Sequence, residues 1–170
     1  MKSKELSIDP INEEIVSLIR SRKEDYYYDF KLILHKDQES LLHDILCLSN
    51  NMENRDAYLI IGVNDDYEVE GVEEELKSNN IYDFLKGLSF AGNHMPEIEV
   101  KNLYYMSKRI SVIVCKSSKY VPFFLTQKYK GVFDNQIYTR VGDTNTPKNK
   151  HASYNDVEKI WRIHFVRENE

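Results

Sequence analysis

The stretch Ala57-Tyr58-Leu59-Ile60-Ile61-Gly62-Val63 constrains this chain most. It is nearly all apolar, and Asn64-Asp65-Asp66 closes it as a tight turn. Such a run predicts a strand inside a sheet rather than on its edge. The neighbouring segments then supply the rest of a layered domain. Asp9-Pro10 is a helix start, and Ile11, Ile15, Leu18 and Ile19 form one helical stripe behind it. Tyr26 to Leu34 reads as a strand. Asp37 caps a second helix whose buried face is Leu41, Leu42, Ile45, Leu46 and Leu48.

Beyond the central strand, Tyr67 to Val72 is expected to return as a hairpin partner. A short helix is expected from Asn79 or Asn80, ending near Gly87. Glu97 to Met106 and Arg109 to Cys115 read as a hairpin around Ser107-Lys108. Val121 to Leu125 and Gln136 to Val141 read as further strands. Ser153 and Asp156 form a capping box ahead of an amphipathic C-terminal helix. The expectation is an α+β fold with a mixed, largely antiparallel sheet flanked by helices. In domain terms, it is an N-terminal helix over 1–22 and a single domain over 23–170.

At 170 residues, with 41% hydrophobic and 30% charged residues, the chain suits one folded domain and not low-complexity disorder. No apolar run approaches the ~20 residues of a membrane span, and the first residues lead into no apolar signal segment. Cys47 and Cys115 both sit in apolar runs and read as reduced core residues of a cytoplasmic protein.

Charge is unevenly spread. Residues 1–100 carry 10 Lys/Arg and 22 Asp/Glu, a net of −12, whereas residues 101–150 carry 10 and 2, a net of +8. Two readings follow: a polar substrate that meets both signs, or two halves that attract each other across the fold.

Three acids stand out: Glu24 before the first strand, Asp29 on it, and Asp65 just past the central strand. Lys31 shares the sheet face of Asp29. Clustered carboxylates repel unless a divalent cation or a shared proton offsets their charge. Oxygen-rich sites suit Mg²⁺ or Mn²⁺, which can activate water for phosphodiester cleavage. Glu24 and Asp29 are five apart, so they converge only if the chain bends between Asp25 and Tyr27. The plainer alternative for Asp65 is a turn former. The histidines show no ligand spacing, and no Gly-rich phosphate loop occurs, so no nucleotide cofactor is expected.

The stretch Glu24-Asp25-Tyr26-Tyr27-Tyr28-Asp29-Phe30-Lys31 resembles the "E, four residues, E-F-K" signature of the Schlafen AlbA-type domain. Leu42 to Asn50 is similar to its "I-x-A-F-A-N" helix. Tyr58 to Asp66 is similar to its hydrophobic strand and "G-V-D-D" turn, and Val69-Glu70-Gly71-Val72 to the glycine segment after it. Ile137 to Asn145 resembles its "Y-x-R-x-G" segment. The blocks keep family order from Glu24 to Pro147. Two departures are Asp29, shorter than the usual glutamate, and the Asn50 to Asp56 loop, where the family often has "N-T-x-G-G".

The resemblance implies a metal-dependent endoribonuclease on structured RNA such as tRNA. Glu24, Asp29 and Asp65 would be its carboxylate trio and metal ligands, and Lys31 and Arg140 would stabilise the phosphate. Lys108, Arg109, Lys116, Lys119, Lys128 and Lys130, with Arg140, would line a backbone-contacting groove. Because the animal proteins use two such lobes, a single lobe predicts a homodimer. The alternative is a non-catalytic DNA- or RNA-binding module of a regulatory or phage-defence protein.

Overall fold

The computed structural model describes residues 9–170; the first eight residues of the expected N-terminal segment lie outside them. The elements in chain order are α1 (Pro10–Arg20), β1 (Tyr28–Lys31), α2 (Gln38–Ser49), β2 (Ala57–Ile61), α3 (Ser78–Lys86), β3 (Ile98–Tyr105), β4 (Lys108–Cys115), β5 (Arg140–Val141), β6 (Thr144–Asn145) and α4 (Tyr154–Arg167). Four strands form one sheet in the order β1-β2-β4-β3. β1 and β2 are parallel, joined through α2, and the other two pairings are antiparallel. This is the α+β fold with a mixed, mostly antiparallel sheet that the sequence implies.

Both faces of the central strands are covered, which explains the apolar run. Tyr58 and Ile60 face a cluster with Ile15, Leu18 and Ile19 of α1, while Leu59 and Ile61 face a second cluster with Leu42, Ile45 and Leu46 of α2. Period-2 alternation on a strand buried on both sides leaves no polar position. The caps are as expected. Asp9 accepts from the Ile11 amide, Asp37 from Ser40 and Ser153 from Asp156.

Four strand expectations are corrected. The segment from Tyr26 to Leu34 keeps only four strand residues, because Tyr26 and Tyr27 form a turn and its partner β2 ends at Ile61. Tyr67 to Val72 forms no strand. Val69 makes a single bridge to Val63, and the Gly62 carbonyl accepts from both Glu70 and Gly71. This crossing needs its glycines. Both have positive φ, and a Cβ on Gly62 would lie 3.2 Å from the Gly71 backbone.

Val121 to Leu125 keeps only a bridge from Leu125 to Phe90, and of Gln136 to Val141 only Arg140–Val141 is strand, paired with β6. Asn50, fully buried, ties the two segments together. Its side chain bonds the Phe123 amide and the carbonyls of Phe123 and Tyr138, and its own carbonyl accepts from Thr139 Oγ1. Unpaired buried backbone groups are costly, and this one amide side chain pairs those of Phe123 and Tyr138. Among the described residues, no helix is long and apolar enough to cross a membrane.

Candidate active site

The turn at Tyr26-Tyr27 folds Glu24 back onto β1, as the convergence of Glu24 with Asp29 requires. Tyr28 donates to the Asp25 carbonyl at 3.4 Å. β1 is an edge strand. Its Lys31 carbonyl accepts from Gly62 on the β2 side, so by alternation the Phe30 N–H points outward. Glu24 Oε1 accepts that N–H at 3.3 Å. Glu24 thus caps the open edge while Asp29, with Tyr28 and Phe30 turned toward α1, faces the α2 side.

Asp29 Oδ2 lies 3.3 Å from Lys31 Nζ. Arg140 Nη2 lies 3.5 Å from both Glu24 Oε2 and Asp29 Oδ1. Arg140 is 2% exposed. Its Nε donates to the Asp25 carbonyl and its Nη1 to Asn145 Oδ1. Nη2 has ion-pair distances but no hydrogen bond among the described residues. Burial, then the Asp29 charge and a hydrogen bond to it, push the Glu24 carboxyl up to about 7, with the Phe30 amide and Arg140 opposing. Burial and the neighbouring Asp29 charge thus favour the protonated form of Glu24.

Two residues that sequence reasoning passed over complete the arrangement. Asp44, buried on α2, has Oδ2 2.7 Å from His35 Nε2 and accepts from Asn145 Nδ2 through Oδ1. Burial opposes the charge of Lys31, but Asp44, Asp29 and Glu24 together hold its ammonium up. Lys31 therefore stands between two acid groups. Glu24, Lys31 and His35 form a partly exposed rim, while Asp29, Asp44 and Arg140 form a buried floor. The signal was present: Leu41, Asp44, Ile45 and Leu48 share one helical stripe, and a charge on an apolar stripe needs a partner.

Asp65 does not join this group. It is exposed in a turn organised by Asn64, whose side chain accepts from Asp66 and Glu68. The adjoining Tyr67 packs on Phe30, on the α1 side of the sheet. No hydrogen bond or ion pair links Asp65 to Glu24 or Asp29 among the described residues.

The basic residues do not form one groove. β4 runs eight residues from Lys108 to Cys115, which separates Lys108 from Lys116 by about 27 Å. Lys116 pairs with Asp56 at 2.9 Å, and Lys119 donates to the Glu170 carbonyl. Lys108 and Arg109 donate to the carbonyls of Val69 and Glu73. Lys128 and Lys130 are exposed on a loop. Arg140, enclosed among acids, is an internal counter-charge and not a surface contact. His43 donates to the Thr146 carbonyl from a partly buried position, a packing role.

The comparisons with known proteins bear on this geometry. The family model described as "Schlafen, AlbA_2" matches residues 24–149, which contain every member of the site. The chain belongs to the Schlafen AlbA_2 family. This places the Schlafen-type domain among generally nucleic-acid-related proteins. Among solved structures, it is similar to the DIP2311 protein from Corynebacterium diphtheriae, with 15% identity and a TM-score of 0.48. That match covers 82% of this chain and 27% of the other, so the Schlafen-type chain spans about a quarter of that protein. No protein of curated function matches it.

Proposed function

We propose that this domain is a metal-dependent endoribonuclease acting on structured RNA such as tRNA. The observation that carries the reading is the Glu24–Asp29 pair. Both carboxylates lie 3.5 Å from Arg140 Nη2, and burial with the Asp29 charge favours the protonated form of Glu24. A site in that condition gains from a cation. Mg²⁺ is commonly held by one or two carboxylates and completed by substrate phosphate and water, so the donor pair fits Mg²⁺ or Mn²⁺. No group of three or more His, Cys, Asp or Glu converges among the described residues, consistent with a two-carboxylate site and with Asp65 outside it.

The bound cation would offset charge developing on the phosphate. The protein's own groups do the rest. Arg140 fixes both carboxylates from beneath through Asp25 and Asn145. Lys31, 32% exposed, presents an ammonium to a phosphate oxygen at the rim.

The test is cleavage of end-labelled tRNA, single-stranded RNA and duplex DNA with Mn²⁺, Mg²⁺ or EDTA. Discrete RNA fragments that disappear with EDTA, and fall at least about 100-fold in Glu24→Gln and Asp29→Asn, are expected. Asp65→Asn is expected to keep most of the activity. Intact substrate in every lane, with salt-sensitive binding retained, would establish the non-catalytic binding module instead.

A further inference from the structure

Lys31 pairs with Asp29 at 3.3 Å, and Glu24 and Asp29 are only part of the acid-base chemistry of this site. The other part is His35 with Asp44. Asp44 is 5% exposed and is fixed on both oxygens, by Asn145 Nδ2 at 3.0 Å and by His35 Nε2 at 2.7 Å. A carboxylate so placed accepts Nε2–H and sets the imidazole tautomer, leaving Nδ1 as the basic nitrogen. Nδ1 has no hydrogen-bond partner among the described residues, and the His35 side chain is 25% exposed. The dyad is therefore buried at its anchoring end and open at its reactive end. Asn145 bonds both Asp44 and Arg140, and Arg140 lies 3.5 Å from Glu24 and Asp29, so one amide joins the dyad to the carboxylate pair.

Packing alone does not account for this arrangement. Among the described residues, His43 bonds only a backbone carbonyl and a thiol, whereas His35 is held by a buried carboxylate. His35 stands at the rim of the site, on the loop between β1 and α2. The neighbouring charges are Lys36 beside it in sequence and Asp37 at the start of α2.

We propose that His35, held by Asp44, takes the proton from an RNA 2′-hydroxyl at the bond to be cut. This rests on the endoribonuclease reading above and names how the attacking group is activated. As the proton passes to His35 Nδ1, the 2′-oxygen forms a bond to phosphorus. The bond from phosphorus to the 5′-oxygen breaks, and its electron pair stays on that oxygen, which takes a proton from solvent. His35 then releases its proton to solvent. The products carry a 2′,3′-cyclic phosphate and a 5′-hydroxyl, and no other reactant is consumed. Asp44 is a positioning residue, acting through His35.

The experiment uses the full chain with an RNA that it cleaves and the same RNA carrying one 2′-deoxy nucleotide at the cut. Cyclic phosphate ends are expected, with no cut at the deoxy position. His35→Ala should lower kcat by about 100- to 10,000-fold, and added imidazole should restore part of it. Asp44→Asn should lower kcat at least about tenfold without imidazole rescue, because it keeps the ring. If Asp44→Asn melts early, the part-exposed His35→Ala decides alone. EDTA-sensitive cleavage that leaves 5′-phosphate ends, cuts at the deoxy position, or persists at the normal rate in His35→Ala would overturn this proposal and leave the nuclease reading standing. No cleavage of any RNA by the unaltered protein would overturn both.

Discussion

Glu24 is where one side chain's environment becomes a measurable property of the fold. Its carboxyl, raised from 4.5 to about 7 by burial and by Asp29, binds a proton in the folded state that the unfolded chain releases. Stability therefore falls as pH rises from about 4.5 to 7, and the contribution is flat above that window. For a side chain 27% exposed, solvent screening reduces this to on the order of 1–2 kcal/mol. Asp37 and Asp56 have lowered values and slope the other way, so the difference between unaltered protein and Glu24→Gln isolates the effect. Urea melts from pH 4.5 to 7.5 should show the unaltered protein losing stability relative to Glu24→Gln across the window, and a pH-independent difference would refute the raised Glu24 value. Glu24, Asp29 and Lys31 were legible in the sequence because they lie within eight residues on one turn and one strand. Asp44, His35 and Asn145 were not read, since they reach the site from three segments. Only the charge on the apolar stripe of α2 pointed to any of them.

At the scale of elements, helices were more legible than strands. α1 shows its stripe, its Asp9 cap and Pro10 in eleven local residues, and Ile15 and Ile19 are buried as that stripe implies. Ile15→Ala is expected to cost about 2–4 kcal/mol in urea unfolding. Asp9→Ala, on an exposed cap, should cost about 1 kcal/mol. The buried segments at 121–125 and 137–139 have the composition of strands, but pairing is a long-range property and no partner strand reaches them. What joins them to each other is Asn50, 73 residues from Phe123 and 88 from Tyr138. Asn50→Ala should leave several buried backbone groups unpaired at once and cost more than about 3 kcal/mol. Asn50→Asp should be nearly as damaging, because it supplies no donor for the two carbonyls. A loss below about 1 kcal/mol in either variant would mean that apolar packing and the remaining backbone hydrogen bonds hold these segments without Asn50.

At the scale of the whole molecule, part of the charge asymmetry is met by pairs within the fold. Lys101 pairs with Asp9, Lys116 with Asp56, Lys148 with Glu39, and Arg140 with Glu24 and Asp29. Each joins the basic stretch after residue 100 to the acidic half before it. Of the two readings that the charge pattern allowed, mutual attraction of the halves accounts for these five pairs. The cations free to meet a nucleic acid are fewer than their number in the sequence. Of Lys108, Arg109, Lys116, Lys119, Lys128, Lys130 and Arg140, four have neither an acidic partner nor a hydrogen bond to the C-terminal residue. Single-stranded RNA loses about 0.7 of a unit in the log–log salt slope per phosphate contact. Seven contacts would give a slope of about −5, and the four accessible cations about −3. Fluorescence titrations of a short single-stranded RNA between 50 and 300 mM salt distinguish the two. A slope near −3 that drops by about half in a Lys128→Ala, Lys130→Ala double variant would place the backbone contact on the loop after Leu125. A slope near −5 from a monomer would require the internal pairs to open on binding. The same slope from a homodimer, identified by light scattering at the titration concentration, would instead mean that two copies share the strand.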